Sequence, residues 1–227
     1  MALTHPPHIL IIGASRGIGL ELTRQYLADG ALVTATARDD AGLQRLRELG
    51  ARALKLDVTS APSVAGLAWQ LDGSQFTTVV VNAGVYGPKL RTLDAPTDTD
   101  FDQVMHTNVL GPMRVVPQLL DALAPQAKLA VISSRMGSIG SRTVTDGWLY
   151  RASKAALNSV LKDLSLALTD RATCVALHPG WVRTDMGGPD ADLPVETSAR
   201  MLRATLAGLG TADTGQFFDH DGTPIPW

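Results

Sequence analysis

The stretch HILIIGASRGIGLEL, residues 8–22, combines a short apolar run, a glycine-rich turn and the start of a helix. The apolar run predicts a buried strand, because strands of a parallel sheet covered by helices on both sides are hydrophobic on both faces. Gly13, Gly17 and Gly19 predict a tight turn into a helix whose N-terminal amides favour an anion. The stretch therefore predicts a nucleotide phosphate site, although a tight turn without a ligand would be compatible with the same glycines.

Short apolar runs alternate with segments of helical periodicity along the whole chain. Further strands are predicted at 32–37, 51–57, 77–83, 128–134, 172–178 and 215–220. Strands that alternate with helices are typical of a doubly wound α/β fold. Because no repeat, low-complexity tract or linker divides the chain, we predict one Rossmann-type domain over residues 1–227, with about seven parallel strands and helices on both faces.

Composition restricts the class of protein. A chain of 227 residues with 45% hydrophobic and 19% charged residues fits a globular enzyme or binding protein. The net charge of −2, with scattered basic residues, argues against nucleic acid or membrane partners. The single cysteine, Cys174, excludes an internal disulfide and is expected to be buried, and the histidines have no metal-binding spacing. No apolar segment has the length of a leader or membrane span, so we expect a cytoplasmic protein.

The end of the second predicted strand indicates which nucleotide binds. Enzymes that use NAD place a carboxylate about 20 residues beyond the glycines, where it binds the ribose hydroxyls. Here that strand ends at Ala37–Arg38, and Arg16 lies in the glycine loop. Two guanidinium groups match a 2′-phosphate, so we predict NADP(H) in preference to NAD(H). Asp39 and Asp40 are the alternative carboxylates, and we expect them to cap the next helix instead.

Tyr150 and Lys154 form a Tyr-x-x-x-Lys pair, which places both side chains on one face of a helix. Reduction of a carbonyl requires a proton for the developing alkoxide, and a free tyrosine with a pKa of about 10 releases its proton reluctantly near neutrality. A lysine ammonium one helical turn away would lower that pKa. Taken alone, the spacing is equally compatible with two unrelated polar residues on a helix surface.

Several motifs together resemble the short-chain dehydrogenase/reductase family over the whole chain. They are GASRGIG (13–19), LDV (56–58), NAG (82–84), NVLG (108–111), ISS (132–134), YRASK (150–154) and HPGWVRTDM (178–186). The segment PGWVRTDMGG and the ending GQFFDHDGTPIPW resemble, within the family, the sniffer-like and C-factor-like carbonyl reductases. The joint match is specific, whereas each motif alone is weak.

The resemblance implies a role for each of four polar residues. Tyr150 would be the proton donor, and Lys154 would support it electrostatically and bind the nicotinamide ribose. Ser134 would fix the carbonyl oxygen, and the side chain of Asn108 would help to hold a water beside the lysine. The stretch between Ser134 and Tyr150 is longer than is common in the family, so Ser138 remains an alternative.

The two arginines and the resemblance also predict the cofactor-binding residues. These are Gly13, Ser15, Arg16, Gly17, Ile18, Gly19, Arg38, Asp57, Val58, Asn82, Ala83, Gly84, Tyr150, Lys154, Pro179, Gly180, Val182 and Thr184. His178 is expected to be a hydrogen-bonded residue at a strand end and no base. The substrate pocket is expected to be open and to be bounded by residues 86–93, residues 134–148 and Trp181.

The predicted function is NADP(H)-dependent reduction of a small ketone or aldehyde to an alcohol, or the reverse reaction. The resemblance also implies a homodimer, or a homotetramer, that pairs through the helix containing residues 101–112 and the helix carrying Tyr150. The alternative is a nucleotide-binding signalling protein with little or no turnover, to which the C-factor resemblance also points. A Rossmann methyltransferase would not explain the Tyr-x-x-x-Lys helix.

Overall fold

Seven parallel strands form one sheet in the computed structural model, which describes residues 6–89 and 93–227. The strands are β1 (His8–Ile12), β2 (Leu32–Ala37), β3 (Arg52–Lys55), β4 (Phe76–Val81), β5 (Leu123–Ile132), β6 (Ala172–His178) and β7 (Gln216–Asp219). Their order is β3-β2-β1-β4-β5-β6-β7, which confirms the predicted doubly wound fold. The chain reverses its winding between β1 and β4, and sheets of this kind bind ligands at that point.

Helices cover both faces of this sheet. They are α1 (Gly17–Ala28), α2 (Asp40–Glu48), α3 (Ala61–Ala65), α4 (Leu67–Gln70), α5 (Asp98–Met105), α6 (Gly111–Val115), α7 (Trp148–Ala167) and α8 (Val195–Gly208). A π-helical turn, His106–Leu110, joins α5 to α6, and short 3₁₀ helices span Val116–Ala122, Arg135–Gly137 and Thr211–Asp213. No helix of the described ranges has both the length and the apolar content needed to cross a membrane.

Alternate residues of β1 enter two separate hydrophobic cores, because successive side chains of a strand point to opposite faces. Ile9 and Ile11 pack with residues of α1, α2 and α8. Leu10 and Ile12 pack on the other side with residues of α3, α4, α6 and α7. All four side chains are at most 2% exposed. Both faces of the strand are therefore buried, as its continuous apolar run predicted.

The strand ends differ from the prediction in a consistent way. The predicted strands 51–57, 77–83 and 128–134 stop two residues earlier, at Lys55, Val81 and Ile132. The residues beyond these ends leave the sheet at its carboxyl edge and enter the loops that carry the polar motifs. Strand β5 also begins earlier than predicted, at Leu123, with a shift in its pairing to β4. Gln126 has a φ of 57° there, and neither this residue nor the preceding proline is typical of a strand.

Candidate active site

A cleft of about 560 Å³ opens at the carboxyl edge of the sheet, where β1 and β4 are neighbours. Twelve of the predicted cofactor residues line it: Gly13, Ser15, Arg16, Gly17, Ile18, Arg38, Asp57, Val58, Asn82, Ala83, Gly84 and Thr184. These residues come from the glycine loop, the ends of β2, β3 and β4, and the segment after β6. The fold therefore brings most of the motifs that lie far apart in sequence to one place.

The three glycines of the first motif have different roles. A Cβ on Gly13, whose φ is 85°, would lie 2.7 Å from the Cα of Ala83. A Cβ on Gly19 would lie 2.3 Å from the carbonyl oxygen of Gly13, which accepts a 2.6 Å hydrogen bond from Asn82 Nδ2. Both glycines thus allow the loop to pack on β4. Gly17 instead faces Thr184 across the cleft, and its Cβ would lie 3.3 Å from the Thr184 methyl carbon.

Helix α1 begins at this loop with no side-chain cap on its first amides. The backbone N–H groups of a helix N-terminus are free to bind an anion when no side chain occupies them. Gly17 and Ile18, the first two residues of α1, line the cleft. This arrangement fits the pyrophosphate site that the sequence predicts.

Arginines lie at the β2 end of the cleft. Arg38 and Arg45 line the cleft wall, and Arg45 Nε donates a 3.0 Å hydrogen bond to the carbonyl oxygen of Ser15. Arg16 extends to the opposite side, where its Nη1 lies 2.9 Å from Asp185 Oδ2. The two arginines that remain beside the end of β2 are therefore Arg38 and Arg45, of which the sequence predicted only the first.

Asp39 also lies at this end, and it caps α2 as expected. Its Oδ1 accepts a 2.7 Å hydrogen bond from the backbone N–H of Gly42. Asp57, which follows β3, accepts hydrogen bonds from the backbone and the hydroxyl of Thr59 at 2.9 and 2.7 Å. Those bonds, and to a lesser extent the Arg38 guanidinium, hold the pKa of Asp57 below its usual value. The Asp57 carboxylate is therefore charged near neutrality, and both carboxylates already accept hydrogen bonds from their own chain.

The reactive side chains meet where α7 passes the ends of β4 and β5. Tyr150 and Lys154 are only 8% and 4% exposed, and Lys154 Nζ lies 5.6 Å from the centre of the Tyr150 ring. Ser134 is 7% exposed, directly after β5, and hydrogen bonding links it to the Tyr150 side chain. A Cβ on Gly137 would lie 2.8 Å from the Lys154 carbonyl carbon, so that glycine permits this close packing.

Burial dominates the electrostatics of this group. It raises the pKa of Tyr150 to about 12, although hydrogen bonding with Ser134 opposes the shift. It also lowers the pKa of Lys154 to about 8. The net shift of Tyr150 is opposite to the lowering expected from its lysine. The physical reason is that both side chains are desolvated, and the ammonium donates a 2.8 Å hydrogen bond to the carbonyl oxygen of Ile132.

The structure distinguishes the two candidate serines. The Ser138 hydroxyl donates to the carbonyl oxygen of Pro226 at 2.5 Å and accepts from the backbone of Ser141 at 3.0 Å. Ser138 is therefore bound to the C-terminal segment, whereas Ser134 adjoins Tyr150. The long stretch between Ser134 and Tyr150 includes a loop that ends at Gly147, before α7 begins.

Asn108 lies in the π-helical turn and is fully buried. Its Oδ1 accepts from the Val85 N–H, and its Nδ2 donates to the Val85 carbonyl oxygen, both at 2.8 Å. Nδ2 also donates to the Ser153 hydroxyl at 2.9 Å. Both amide hydrogens are therefore used within the chain, and the side chain connects the segment after β4 to α7. Irregular turns of this kind occur frequently at functional sites.

The remaining predicted cofactor residues do not line the cleft. Tyr150 and Lys154 lie at its reactive end, where a Cβ on the lining residue Gly84 would be 3.5 Å from Lys154 Nζ. Gly19 packs against the Gly13 carbonyl oxygen inside the glycine loop. Pro179, Gly180 and Val182 shape the segment after β6: the Pro179 carbonyl oxygen accepts from Ser198 at 2.6 Å, and Val182 pairs with Leu193. These three residues position the segment that carries Thr184, and they do not line the cleft themselves.

His178 ends β6, as expected, but the expected hydrogen bonding was wrong for one ring nitrogen. Its Nδ1 is buried without a hydrogen-bond partner within the described residues. Burial lowers the pKa of this histidine to about 4, so the ring is neutral near pH 7. Cys174 is fully buried in β6, as expected. No group of three or more histidine, cysteine or acidic side chains in the described chain could hold a metal ion.

Sequence reasoning missed several residues of the cleft wall. They are Thr36, Ala37, Asp39, Arg45, Leu56, Thr59, Val85, Thr107, Arg183, Asp185, Met186 and Val195. Thr36 could have been found, because it is the second-last residue of β2, next to β1. Its hydroxyl accepts a 2.9 Å hydrogen bond from the Gly13 N–H. Arg45 had no local signal, since only the packing of α2 against the glycine loop brings it to the cleft.

This chain is similar to known proteins in both sequence and structure. The family model for short chain dehydrogenases matches residues 7–192. The chain belongs to the short-chain dehydrogenase/reductase family. C-signal of Myxococcus xanthus is 41% identical over 155 residues, which cover 66% of this chain and 91% of that protein.

Solved structures of the family superpose over nearly the whole chain. A short-chain dehydrogenase/reductase of Burkholderia multivorans with bound NADP has a TM-score of 0.90 and 34% identity, covering 98% of this chain and all of that one. The carbonyl reductase Sniffer of Drosophila melanogaster has a TM-score of 0.89 and 32% identity, with coverage of 98% and 100%. The similarities to Sniffer and to C-signal confirm the predicted branch.

Proposed function

We propose that this short-chain dehydrogenase/reductase is an NADP(H)-dependent carbonyl reductase that acts on a small ketone or aldehyde. The observation that carries the proposal is the meeting of Ser134, Tyr150 and Lys154 at one end of the cleft that the predicted cofactor residues line. The similarity to Sniffer, a carbonyl reductase, supports the same reaction class.

The cleft fits a dinucleotide with a 2′-phosphate. The glycine loop and the uncapped start of α1 would hold the pyrophosphate, and Asp57 and Val58 would adjoin the adenine. Arg38 and Arg45 would bind the 2′-phosphate, because guanidinium groups form paired hydrogen bonds with phosphate oxygens. Bound NADP in the similar Burkholderia protein supports this choice.

Three side chains of this chain would perform the acid–base part of the reaction. The cofactor, when bound, supplies or accepts the hydride. The Ser134 hydroxyl donates a hydrogen bond to the carbonyl oxygen of the substrate and fixes its position. Tyr150 then gives its proton to that oxygen as negative charge develops on it. A tyrosine whose pKa is raised to about 12 is protonated near neutrality, which suits a proton donor.

Lys154 would supply positive charge behind the tyrosine. Its pKa of about 8 leaves most of the ammonium protonated at neutral pH. Its hydrogen bond to the Ile132 carbonyl oxygen, 2.8 Å long, holds it at the back of the site. The proposed contact of Lys154 with the nicotinamide ribose and the water held with Asn108 remain predictions.

An apolar substrate fits the surroundings of the reactive end. Ile139, Val144, Trp148 and Trp181, from the two described stretches expected to bound the pocket, are between 37% and 68% exposed. Exposed apolar side chains in the stretches that would bound a substrate pocket favour an uncharged substrate. The third predicted boundary, 86–93, includes residues 90–92, which lie outside the described residues.

A homodimer in the cytoplasm remains our proposal for the assembled protein. The helices predicted to pair carry Phe101, Met113 and Leu166, which are 47%, 51% and 66% exposed. Apolar side chains on adjoining helices are typical of a subunit interface. Light scattering coupled to gel filtration would distinguish a dimer from a monomer or a tetramer.

A signalling role is the second candidate function, and the similarity to C-signal favours it. A protein that catalyses no reaction would have no chemical need for a buried lysine beside a tyrosine. The presence of both residues, with Ser134, therefore supports the enzyme as the first candidate.

The deciding experiment is a screen of NADPH oxidation with aldehydes, ketones, diketones and quinones. We expect turnover of at least one uncharged carbonyl compound, and loss of that turnover in a Tyr150→Phe protein that still binds NADPH. NADPH binding without turnover of any carbonyl class would favour the signalling candidate instead.

A further inference from the structure

One face of the Tyr150 ring is covered by a second tyrosine, Tyr86. The two rings stack with their centres 4.7 Å apart and an angle of 29° between their planes. We propose that Tyr86 is a positioning residue for the proton donor, because its ring holds Tyr150 in one orientation and keeps water from that face. This proposal rests on the proposed role of Tyr150 as proton donor.

The backbone around Tyr86 is fixed on both sides. Val85 donates and accepts hydrogen bonds with the buried Asn108 side chain, both 2.8 Å long. On the other side, Gly87 has a φ of 82°, and a Cβ there would lie 2.4 Å from a methyl carbon of Val104. Asn108 thus reaches the proton donor indirectly, through Val85 and Tyr86.

The far end of the Tyr86 side chain lies against the start of α7. A Cβ on Gly147 would lie only 2.4 Å from the Tyr86 hydroxyl oxygen. Gly147 has a φ of 63° and is followed directly by α7, the helix that carries Tyr150. The ring therefore fills the space between the beginning of that helix and its third residue. The cofactor cleft, by contrast, is lined by Val85 and not by Tyr86.

Tyr86 also contributes to the raised pKa of Tyr150. The groups that face Tyr150 are Lys154 on its own helix, Ser134 after β5, and Tyr86. The nearest charges to Tyr86 are Asp146 and Arg151, which form a 2.9 Å ion pair with each other. Burial is the main reason that the pKa of Tyr150 is raised, and Tyr86 adds to the shift. Removing the ring would admit water, which stabilises the phenolate and lowers the pKa.

The substitution Tyr86→Ala removes the ring, and Tyr86→Phe keeps the ring without the hydroxyl. We expect Tyr86→Ala to move the pH dependence of alcohol oxidation, which requires the Tyr150 phenolate, to lower pH by about one unit. Tyr86→Phe should move it by much less. The rate of carbonyl reduction at neutral pH should fall about tenfold or more in the alanine variant, because the proton donor loses its fixed orientation.

A second measurement does not depend on turnover. The chain has three tyrosines, so the ultraviolet absorbance of tyrosinate can be assigned by subtracting a Tyr150→Phe protein. Tyr86→Ala should lower the titration midpoint of Tyr150 in this assay as well. Tyr26→Phe, which removes a tyrosine that contacts Arg203 instead, is the matched control and should leave the Tyr150 midpoint unchanged.

Unchanged NADPH affinity would establish that the Tyr86 variants are folded, since Tyr86 does not line the cofactor cleft. The proposal is overturned if Tyr86→Ala keeps the wild-type midpoint, or if Tyr86→Phe shifts it equally. A wild-type protein that reduces no carbonyl would refute the proposed function alone, because the tyrosinate titration would still report the effect of Tyr86 on Tyr150.

Discussion

The two ends of the cleft differ in the solvent exposure of their ionisable side chains. At the phosphate end, the side chains of Arg16 and Asp185 are 68% and 74% exposed. At the reactive end, Tyr150 and Lys154 are 8% and 4% exposed. Exposed charges are screened by water and salt, so an ion pair such as Arg16–Asp185 contributes little, and these charges stay accessible to a ligand.

Buried groups behave differently. Desolvation moves the pKa values of Tyr150 and Lys154 in opposite directions, to about 12 and about 8, and so sets which groups hold protons. The comparison predicts that changes at the reactive end alter the rate strongly with little effect on binding. Changes at the phosphate end should alter binding moderately and in a salt-dependent way.

The largest effect is expected for Tyr150→Phe. The loss of a positioned proton donor should lower kcat for carbonyl reduction by a factor on the order of 10²–10⁴. The ring remains, so stacking with Tyr86 is retained, and the Kd of NADPH should change by less than about twofold. Stopped-flow absorbance and fluorescence titration measure the two quantities. A large loss of NADPH affinity would contradict the prediction that changes at the reactive end alter the rate with little effect on cofactor binding.

The second prediction concerns the ionisation of Tyr150 in the free and bound protein. In the free protein, burial raises the pKa of Tyr150 to about 12. Tyrosinate attributable to Tyr150 should therefore be absent near neutrality. Saturating NADP⁺ should lower that pKa, because the positive nicotinamide favours the phenolate. The phenolate then appears as pH rises through the lowered value. Tyrosinate absorbance, corrected with Tyr150→Phe, tests both statements, and a free-protein pKa below about 10 would contradict the role of burial.

The third prediction tests the phosphate end. Arg38→Ala should weaken NADPH binding by roughly tenfold to a hundredfold, since a hydrogen bond to a charged group contributes about 1.5–3 kcal/mol. NADH binding should be unaffected, because NADH has no 2′-phosphate. Arg47→Ala is the control, as Arg47 lies on α2 without lining the cleft. Equal weakening of both cofactors would show that Arg38 acts on the fold of the cleft and not on the phosphate.

Local sequence patterns predicted the parts of the site that depend on near neighbours. Residues close together in sequence are enough to predict the seven strands, the turn at Gly13 and the Tyr150–Lys154 pair. Helix periodicity alone places Tyr150 and Lys154 on one face. Three of the strands, β3, β4 and β5, were predicted to end two residues too late, because apolar and polar residues there continue the pattern after the chain has left the sheet.

Contacts between distant segments could not be predicted in the same way. The contact between Arg16 and Asp185 joins residues 169 positions apart, and no local pattern indicates it. Arg45 and Tyr86 reach their sites only through the packing of α2 and of the segment after β4. The sign of the Tyr150 pKa shift was likewise beyond the sequence, because it depends on how completely both side chains are buried.

The smallest effect is expected for Asp185→Asn, and it tests the exposed end most directly. Arg16 and Asp185 join the glycine loop to the segment after β6 across the cleft, with 2.9 Å between Nη1 and Oδ2. An exposed ion pair contributes about 0.2–1 kcal/mol, so its loss should speed NADPH dissociation by only about twofold to fivefold. Added salt should speed dissociation from the wild-type protein in the same way but act less on the variant. Asp190→Asn serves as the matched control, since Asp190 follows the same segment but does not line the cleft. If Asp185→Asn instead slows dissociation, then Arg16, once released, binds the cofactor phosphate itself, and the ion pair competes with the ligand rather than retaining it.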